Sequence, residues 1–292
     1  MLIINLNKKL WLIKIIPIKK PLYFITLIFI YNIIYILITL IKILNQRLMW
    51  KIIYDLNLNP ELFFIRFGFN EAIVITDGMK LVTIFGHDYV SSANLYNEKE
   101  IKKIFKPKPK NIVIDVGAYL GYYTIRAAKM VGQGGLVIAI EPNPLSYELL
   151  KENLEINKIT NVKTINKALY SSEGKIAFVC KSAGASSSYV YNIRKTLEND
   201  GKMIFVEALS LDRVIKMFEI KRVDWLKIDA EGSEVEILKG ANETLKITNN
   251  IIIECWPKNY NIIKSILTKF GFKYKNLGIY HSNVFYLYAY KN

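Results

Sequence analysis

VIDVGAYLGYYT, residues 113–124, is the stretch from which the fold is read. It begins as a strand too apolar to face water, carries Asp115 near its end, and then turns between Gly117 and Gly121 into a helix. Glycine lets a backbone turn tightly and lets another backbone or a ligand approach closely. The start of the helix offers N–H groups that have no partner within it, a natural seat for an anion. The spacing is GxxxG, neither the GxGxxG of dinucleotide sites nor the GxxxxGK[ST] of phosphate loops. That favours a ligand whose anion is a carboxylate, such as the methionine end of S-adenosylmethionine, with Asp115 facing its ammonium or sulfonium side. The plainer alternative is a tight strand-to-helix turn found in any α/β protein.

The sequence around this turn alternates. Apolar strand-like runs stand at 111–117, 135–142, 162–169, 224–231 and 250–257, and helical stretches at 120–131, 145–157, 210–219, 233–247 and 260–270. Nearly continuous apolar strands belong in a parallel sheet covered on both faces. Right-handed crossovers then give a doubly wound, Rossmann-like α/β fold. Two final runs, near 273–278 and at 284–290, have no helix between them and predict a closing hairpin with one antiparallel edge strand. Shorter, more polar runs between Lys167 and Leu209 predict an insertion of antiparallel strands over the sheet's carboxyl edge. Before the sheet, AIVIT-DG-MKLVTI reads as a β-hairpin with a type I′ turn at Asp77-Gly78.

Two further stretches carry chemistry. In IAIEPNP (138–144), Glu141 ends the second strand, 26 residues after Asp115. A carboxylate there can accept hydrogen bonds from two ribose hydroxyls; helix capping is the alternative. In VDWLKIDAEGSEVEILKGA (223–241), Lys227, Asp229, Glu231 and Glu234 crowd a strand end. Asp229 and Glu231, two apart, share a face while the strand lasts. Carboxylates gathered there can deprotonate or orient a substrate hydroxyl. Capping of the next helix by Asp229 or Ser233 is the alternative, and Glu234 is expected to favour its first turn.

The succession VIDVGAYLGYYT, VIAIEPNP, NLEIN, ALYSSEG, LDRVI, KIDAEGSEVEILKGA and IIIECWP resembles the FkbM family of methyltransferases over roughly residues 70–290. The resemblance implies a seven-stranded, mostly parallel sheet, S-adenosylmethionine as methyl donor, and O-methylation of a sugar or related metabolite. It implies that Asp115, Gly117, Tyr119, Gly121 and Thr124 form the cofactor turn and that Glu141 holds the ribose. Asn166 to Ala168 would border the adenine. Asp229, Glu231 and Glu254 would face the reacting centre. Many relatives carry an amide or histidine soon after the fifth-strand glutamate, where this chain has Cys255-Trp256-Pro257. A nicotinamide-dependent oxidoreductase is the rival enzyme class, disfavoured by the missing GxGxxG. A non-catalytic, membrane-tethered binding module would show a damaged cofactor turn, and Asp115, Gly117, Gly121 and Glu141 are all intact.

Charge and hydropathy frame the rest. The chain has 292 residues and a formal charge of +15. Residues 1–51 hold eight cations and no acid, leaving +7 for the remainder. No arginine cluster marks a nucleic-acid surface, and no nucleic-acid partner is expected. From Pro21 to Ile41 the sequence is uncharged and apolar; as a helix at about 1.5 Å per residue it spans about 30 Å, a bilayer's hydrocarbon core. This predicts a membrane anchor with the basic residues at the lipid surface. Five lysines precede the span and three cations follow it, which by the positive-inside tendency puts the N-terminus in the cytosol. The need for a cytosolic cofactor argues the reverse, and a catalytic domain facing the cytoplasm is expected, the anchor being single-pass or interfacial. The organisation expected is a basic N-terminus and anchor (1–50), a bridging region with the hairpin (51–110), and a catalytic domain (111–292). The acceptor is then a small molecule, a glycan or a lipid-linked glycan. Cys180 and Cys255 lack CxxC spacing and neighbouring histidines, so neither a disulfide framework nor a metal is expected. His281, between the last two strands, and His87 are read as turn residues rather than bases.

Overall fold

The computed structural model describes residues 2–5, 14–15, 71–84, 98–181, 188–189, 201–281 and 284–291. The apolar run at 21–41 and His87 lie outside them. Among the described residues no helix is long and apolar enough to cross a membrane. Two short strands, β1 (Leu2–Asn5) and β2 (Lys14–Ile15), precede the hairpin of β3 (Glu71–Thr76) and β4 (Met79–Ile84), and β1 pairs with β3 in parallel. Asp77 and Gly78 at the hairpin tip have φ of 47° and 72°, as a type I′ turn requires.

The alternating part follows. Helix α1 (Lys99–Ile104) leads to β5 (Ile112–Val116), α2 (Tyr122–Val131), β6 (Leu136–Ile140), α3 (Pro144–Ile156) and β7 (Val162–Ile165). Next come β8 (Ala168–Leu169), β9 (Gly174–Lys181), β10 (Ser188–Tyr189) and β11 (Gly201–Leu209). Then α4 (Leu211–Met217), β12 (Val223–Ile228), α5 (Glu234–Lys239), α6 (Asn242–Lys246), β13 (Thr248–Cys255), α7 (Tyr260–Lys269), β14 (Lys273–His281) and β15 (Val284–Tyr290) complete the chain. The main sheet has seven strands in the order β7-β6-β5-β12-β13-β15-β14. The order reverses between β5 and β12, so a crevice opens beyond the carboxyl ends of those two strands. The last strand slots between β13 and β14, antiparallel to both. The reversed strand of the closing hairpin therefore sits one place in from the margin, and β14 forms the edge.

Side-chain alternation divides the core by sheet face. Ile114, Val116, Ile138, Ile140, Leu226, Ile228, Ile251 and Ile253 pack under α4, α5 and α7. Val113, Val137, Ala139, Trp225, Ile252 and Tyr286 pack under α1, α2, α3 and strand β4. Met79 and Leu81 of β4 belong to this second layer with Phe105, so the hairpin shares the sheet's core instead of merely bridging to it.

Two expected elements divide. The run 162–169 breaks after β7, and β8 leaves the main sheet to pair with β11 in a four-stranded sheet ordered β10-β9-β11-β8. Apart from the parallel β8–β11 pair, that inserted sheet is antiparallel. The helical stretch 233–247 splits into α5 and α6 at Gly240, where an added Cβ would stand 2.4 Å from the carbonyl oxygen of Tyr170.

Candidate active site

Strand β5 ends on the face that α2 covers, and its last residue on that face is Asp115, 1% exposed. Thr124, in the first turns of α2, donates to Asp115 Oδ2 at 2.6 Å, tying the helix start to the strand end. Asp115 Oδ1 is buried without a hydrogen-bond partner. Burial pushes the carboxyl of Asp115 up, against the pull of the Lys227 ammonium. Between strand and helix the chain passes through Gly117, Tyr119 and Gly121, all at positive φ. Gly121 starts α2 without a side-chain cap, which leaves the N–H groups of the first turn without a cap from that residue.

Gly117 is needed for a reason other than ligand clearance. A Cβ there would lie 1.8 Å from the backbone oxygen of Asp229. The turn after β5 and the end of β12 are pressed together, main chain on main chain, and the Asp229 N–H donates to the Val116 carbonyl at 3.1 Å. The same glycine, expected to clear space for a bound methionine end, is required first by this close approach.

Glu141 closes β6 on the other side of the turn, 6% exposed. Its Oε2 accepts from the Tyr119 N–H and its Oε1 from the Asn143 N–H, both at 2.8 Å. Each oxygen keeps a further lone pair. Burial pushes the Glu141 carboxyl up to about 7 despite these two bonds. Helix α3 is capped instead by Asn143, which accepts from the Leu145 N–H at 3.0 Å. Asn166 donates to the carbonyls of Glu141 and Pro142, at 2.8 and 3.3 Å, and so fastens the end of β7 to this loop. The side chain of Ala168 is committed to a small cluster with Phe178, Val206 and Ala208 in the inserted sheet.

The third group lies on β12, β13 and β15. Lys227 stands directly across from Asp115 in the β5–β12 ladder, on the same face. It is 2% exposed, its Nζ lies 2.7 Å from Asp229 Oδ2, and it sits 4.9 Å from the centre of the Tyr123 ring. Burial alone would lower Lys227; the carboxylates of Asp229, Asp115 and Glu98 outweigh it and hold the ammonium above its ordinary range. Glu98, just before α1, accepts from the Tyr123 hydroxyl. Tyr286 of β15 is paired with Glu254 of β13, and its hydroxyl donates to Asp229 Oδ2 at 3.1 Å. Neither Tyr286 nor Glu98 is singled out by the sequence. The alternation of VFYLYAY does put Tyr286 on one face of its strand, but not across from Asp229.

Asp229, Glu231 and Glu254 converge, with one carboxylate oxygen of each within 4.8 Å of the others. That spacing could hold a divalent cation, although such acid groups are common without one. Glu254, 4% exposed, accepts from the Trp256 indole N–H at 3.1 Å. Burial, then Asp229, Glu231 and Glu234, push its carboxyl up to about 10, favouring the protonated form. Neither Asp229 nor Ser233 caps α5. Glu234 reaches back instead, accepting from the N–H groups of Gly232 and Ala230 at 2.9 and 3.2 Å. Cys255 is a buried free thiol, pushed up to about 12 by burial and so kept protonated. The Cys180 side chain lies outside what the structure describes, and His281 is the last residue of β14, paired with Val284.

Residues 115–274 match the family described as the Methyltransferase FkbM domain. The methyltransferase sdnD of Sordaria araneosa is 27% identical over 176 residues, covering 51% of this chain and 68% of that protein. The hexuronic acid methyltransferase AglP of Haloferax volcanii is 26% identical over 163 residues, covering 55% of this chain and 63% of its own length. The chain thus spans about two thirds of the length of these curated relatives. The crystal structure of an FkbM methyltransferase from Methylobacillus flagellatus KT superposes with a TM-score of 0.47 at 15% identity, over 67% of this chain and 48% of that one.

Proposed function

The chain belongs to the methyltransferase FkbM family, and from that premise we propose that it transfers the methyl group of S-adenosylmethionine to a hydroxyl of a sugar, glycolipid or related metabolite. The nicotinamide alternative gives way to this membership. One observation carries the reading of the site. The main chain of Asp229 is in contact with the Gly117 turn, so the acceptor-side carboxylates abut the turn that would seat the cofactor.

The donor set suits that cofactor. The spare lone pairs of Glu141 suit two ribose hydroxyls, the uncapped start of α2 suits a carboxylate, and the unpartnered Asp115 Oδ1 suits an ammonium. The cofactor supplies an electrophilic methyl group when bound. The chain's own residues align the acceptor, exclude water and take up a proton. Burial and the neighbouring carboxylates favour the protonated form of Glu254, which makes it a poorer proton acceptor than Asp229 or Glu231. The task of receiving the hydroxyl proton, or orienting that hydroxyl, therefore falls to Asp229 or Glu231.

A sugar acceptor is supported by AglP, whose name gives hexuronic acid as its substrate. A lipid-linked acceptor and a cytosolic face are supported by the uncharged run 21–41 and its flanking cations, because tethering raises the local concentration of a membrane-borne substrate. The test is methyl transfer from labelled S-adenosylmethionine to polar lipids and glycolipids extracted from cells lacking the gene, beside soluble hexuronosides. Label in the glycolipid fraction is expected. Label confined to soluble sugars would remove the lipid-linked acceptor, and label in neither would remove the sugar-hydroxyl reading.

A further inference from the structure

Asp229 has two carboxylate oxygens in unlike surroundings. Oδ2 accepts from both the Lys227 ammonium, at 2.7 Å, and the Tyr286 hydroxyl, at 3.1 Å. Both side-chain hydrogen bonds that Asp229 accepts from the described residues end on Oδ2 and none on Oδ1, and the side chain keeps 21% of its surface exposed. The two donors come from different strands. Lys227 lies two residues earlier on β12, on the same face, with its stem buried and its ammonium over the Tyr123 ring. Tyr286 reaches across β13 from the reversed strand, 4% exposed and therefore packed in place. An aspartate with a single anchor can swing about its side-chain torsions. An aspartate gripped at one oxygen from two directions presents the other oxygen in one orientation.

We infer that Lys227 and Tyr286 are positioning residues that together clamp Oδ2 of Asp229, so that Oδ1 alone is presented to the acceptor hydroxyl. The clamp rests on the reading that Asp229 serves the acceptor. It explains why the last strand of the chain, which runs in reverse, carries a tyrosine into the reacting centre. It also explains why a lysine is kept in a core layer where an uncharged residue would pack at lower cost. Alignment of this kind acts on turnover more than on cofactor affinity, because the clamped oxygen points at the acceptor.

The test is a double-mutant cycle on the full chain, with Tyr286→Phe and Asp229→Asn singly and together. Label transfer from S-adenosylmethionine to the polar-lipid and glycan extract gives the rates, and calorimetry gives cofactor affinity. Tyr286→Phe removes one hydroxyl and keeps the ring that fills the core. It is expected to lower the turnover rate about tenfold, by analogy with the loss of an orienting outer-shell partner, and to leave the cofactor Kd within about twofold. In the Asp229→Asn background the same change is expected to have no further effect. Lys227→Met should behave likewise if it folds, and Tyr286→Phe decides the matter if it does not. Full turnover in Tyr286→Phe, or an equal loss in both backgrounds, overturns the clamp while leaving Asp229 its role. Full turnover in Asp229→Asn overturns the reading beneath it. An extract that takes no label from the wild-type chain overturns both.

Discussion

Glu141 meets two demands that pull against each other. It must be buried to sit at the strand end, yet a ribose hydroxyl donates best to an ionised carboxylate. Burial pushes its carboxyl from 4.5 to about 7. Ribose hydroxyls favour the ionised form, so cofactor affinity should rise as pH climbs toward 7 and level off above it. The expected slope approaches about tenfold per pH unit on the acid side. Binding at pH 6 should release a proton, which calorimetry in two buffers of different ionisation enthalpy would detect; binding without proton release would contradict it. For the free protein the sign is opposite. The folded value lies above the unfolded one, so the contribution of protonated Glu141 to stability is full below 4.5 and is lost as pH rises through about 7. The free fold weakens across the window in which the cofactor binds more tightly. The position of Glu141 at the end of its strand is legible in IAIEPNP. Its protonation is not, because burial is a property of the packed chain.

Among the elements, helix α3 does something its amphipathic pattern conceals. Asn153, completely buried, accepts from the Val82 N–H at 2.5 Å and donates to the carbonyls of Val82 and Leu120 at 3.2 and 2.8 Å. One helical turn later, Asn157 accepts from the Lys80 N–H at 3.0 Å and donates to its carbonyl at 2.6 Å. Two asparagines four apart thus meet alternate residues of β4 and satisfy its open edge as a neighbouring strand would. They bind the hairpin to the helix and, through Leu120, to the cofactor turn. Removing the Asn153 amide strands several buried backbone groups at about 1–3 kcal/mol each, so Asn153→Leu should cost roughly 3–5 kcal/mol. Asn157→Leu, partly exposed, should cost roughly 1 kcal/mol. Urea unfolding with an unchanged slope would read both, and equal costs would refute the assignment. NLEIN offered one clue: asparagine is a poor mid-helix residue and is seldom placed there without a partner. Nothing local names that partner, which lies 71 residues away.

In the whole molecule, the core of the seven-stranded sheet takes in residues before 111. Phe105 is fully buried, in edge contact with Tyr123 and Trp225 at 5.6 and 5.3 Å, and Met79, Leu81 and Ile101 complete that layer. Asp77 at the hairpin tip accepts from the Tyr122 hydroxyl and pairs with Lys102 at 3.1 Å, latching the turn onto α2 and α1. A chain cut to 111–292 loses the buried side chains of Phe105, Met79, Leu81 and Ile101 and that of Val82, worth roughly 1.5–3 kcal/mol each and together comparable to the whole stability of a typical domain. It should lack a cooperative melt followed by circular dichroism, whereas a chain starting at residue 71 should keep one. A cooperative 111–292 fragment would show the hairpin to be dispensable. Lys106-Pro107-Lys108-Pro109-Lys110 reads as a boundary because it is charged and rich in proline. It is a surface crossing within one packed body, and the covering of Phe105 shows this only once α1 and β4 are in place.

Patterns that repeat within a few residues were decided by the amino-acid order alone: the buried parallel strands, the turn through Gly117 and Gly121, the type I′ hairpin, and the acids that end β6 and β12. Each follows from short-range rules of period, turn chemistry and strand length, which need no knowledge of what lies opposite. The contacts that give the site its chemistry were decided only by the folded chain. Tyr286 reaches an aspartate 57 residues away, Lys227 shares a rung with Asp115, and Gly117 is pressed against the backbone of Asp229. Strand order and register set those meetings, and both are fixed by how remote segments pack together.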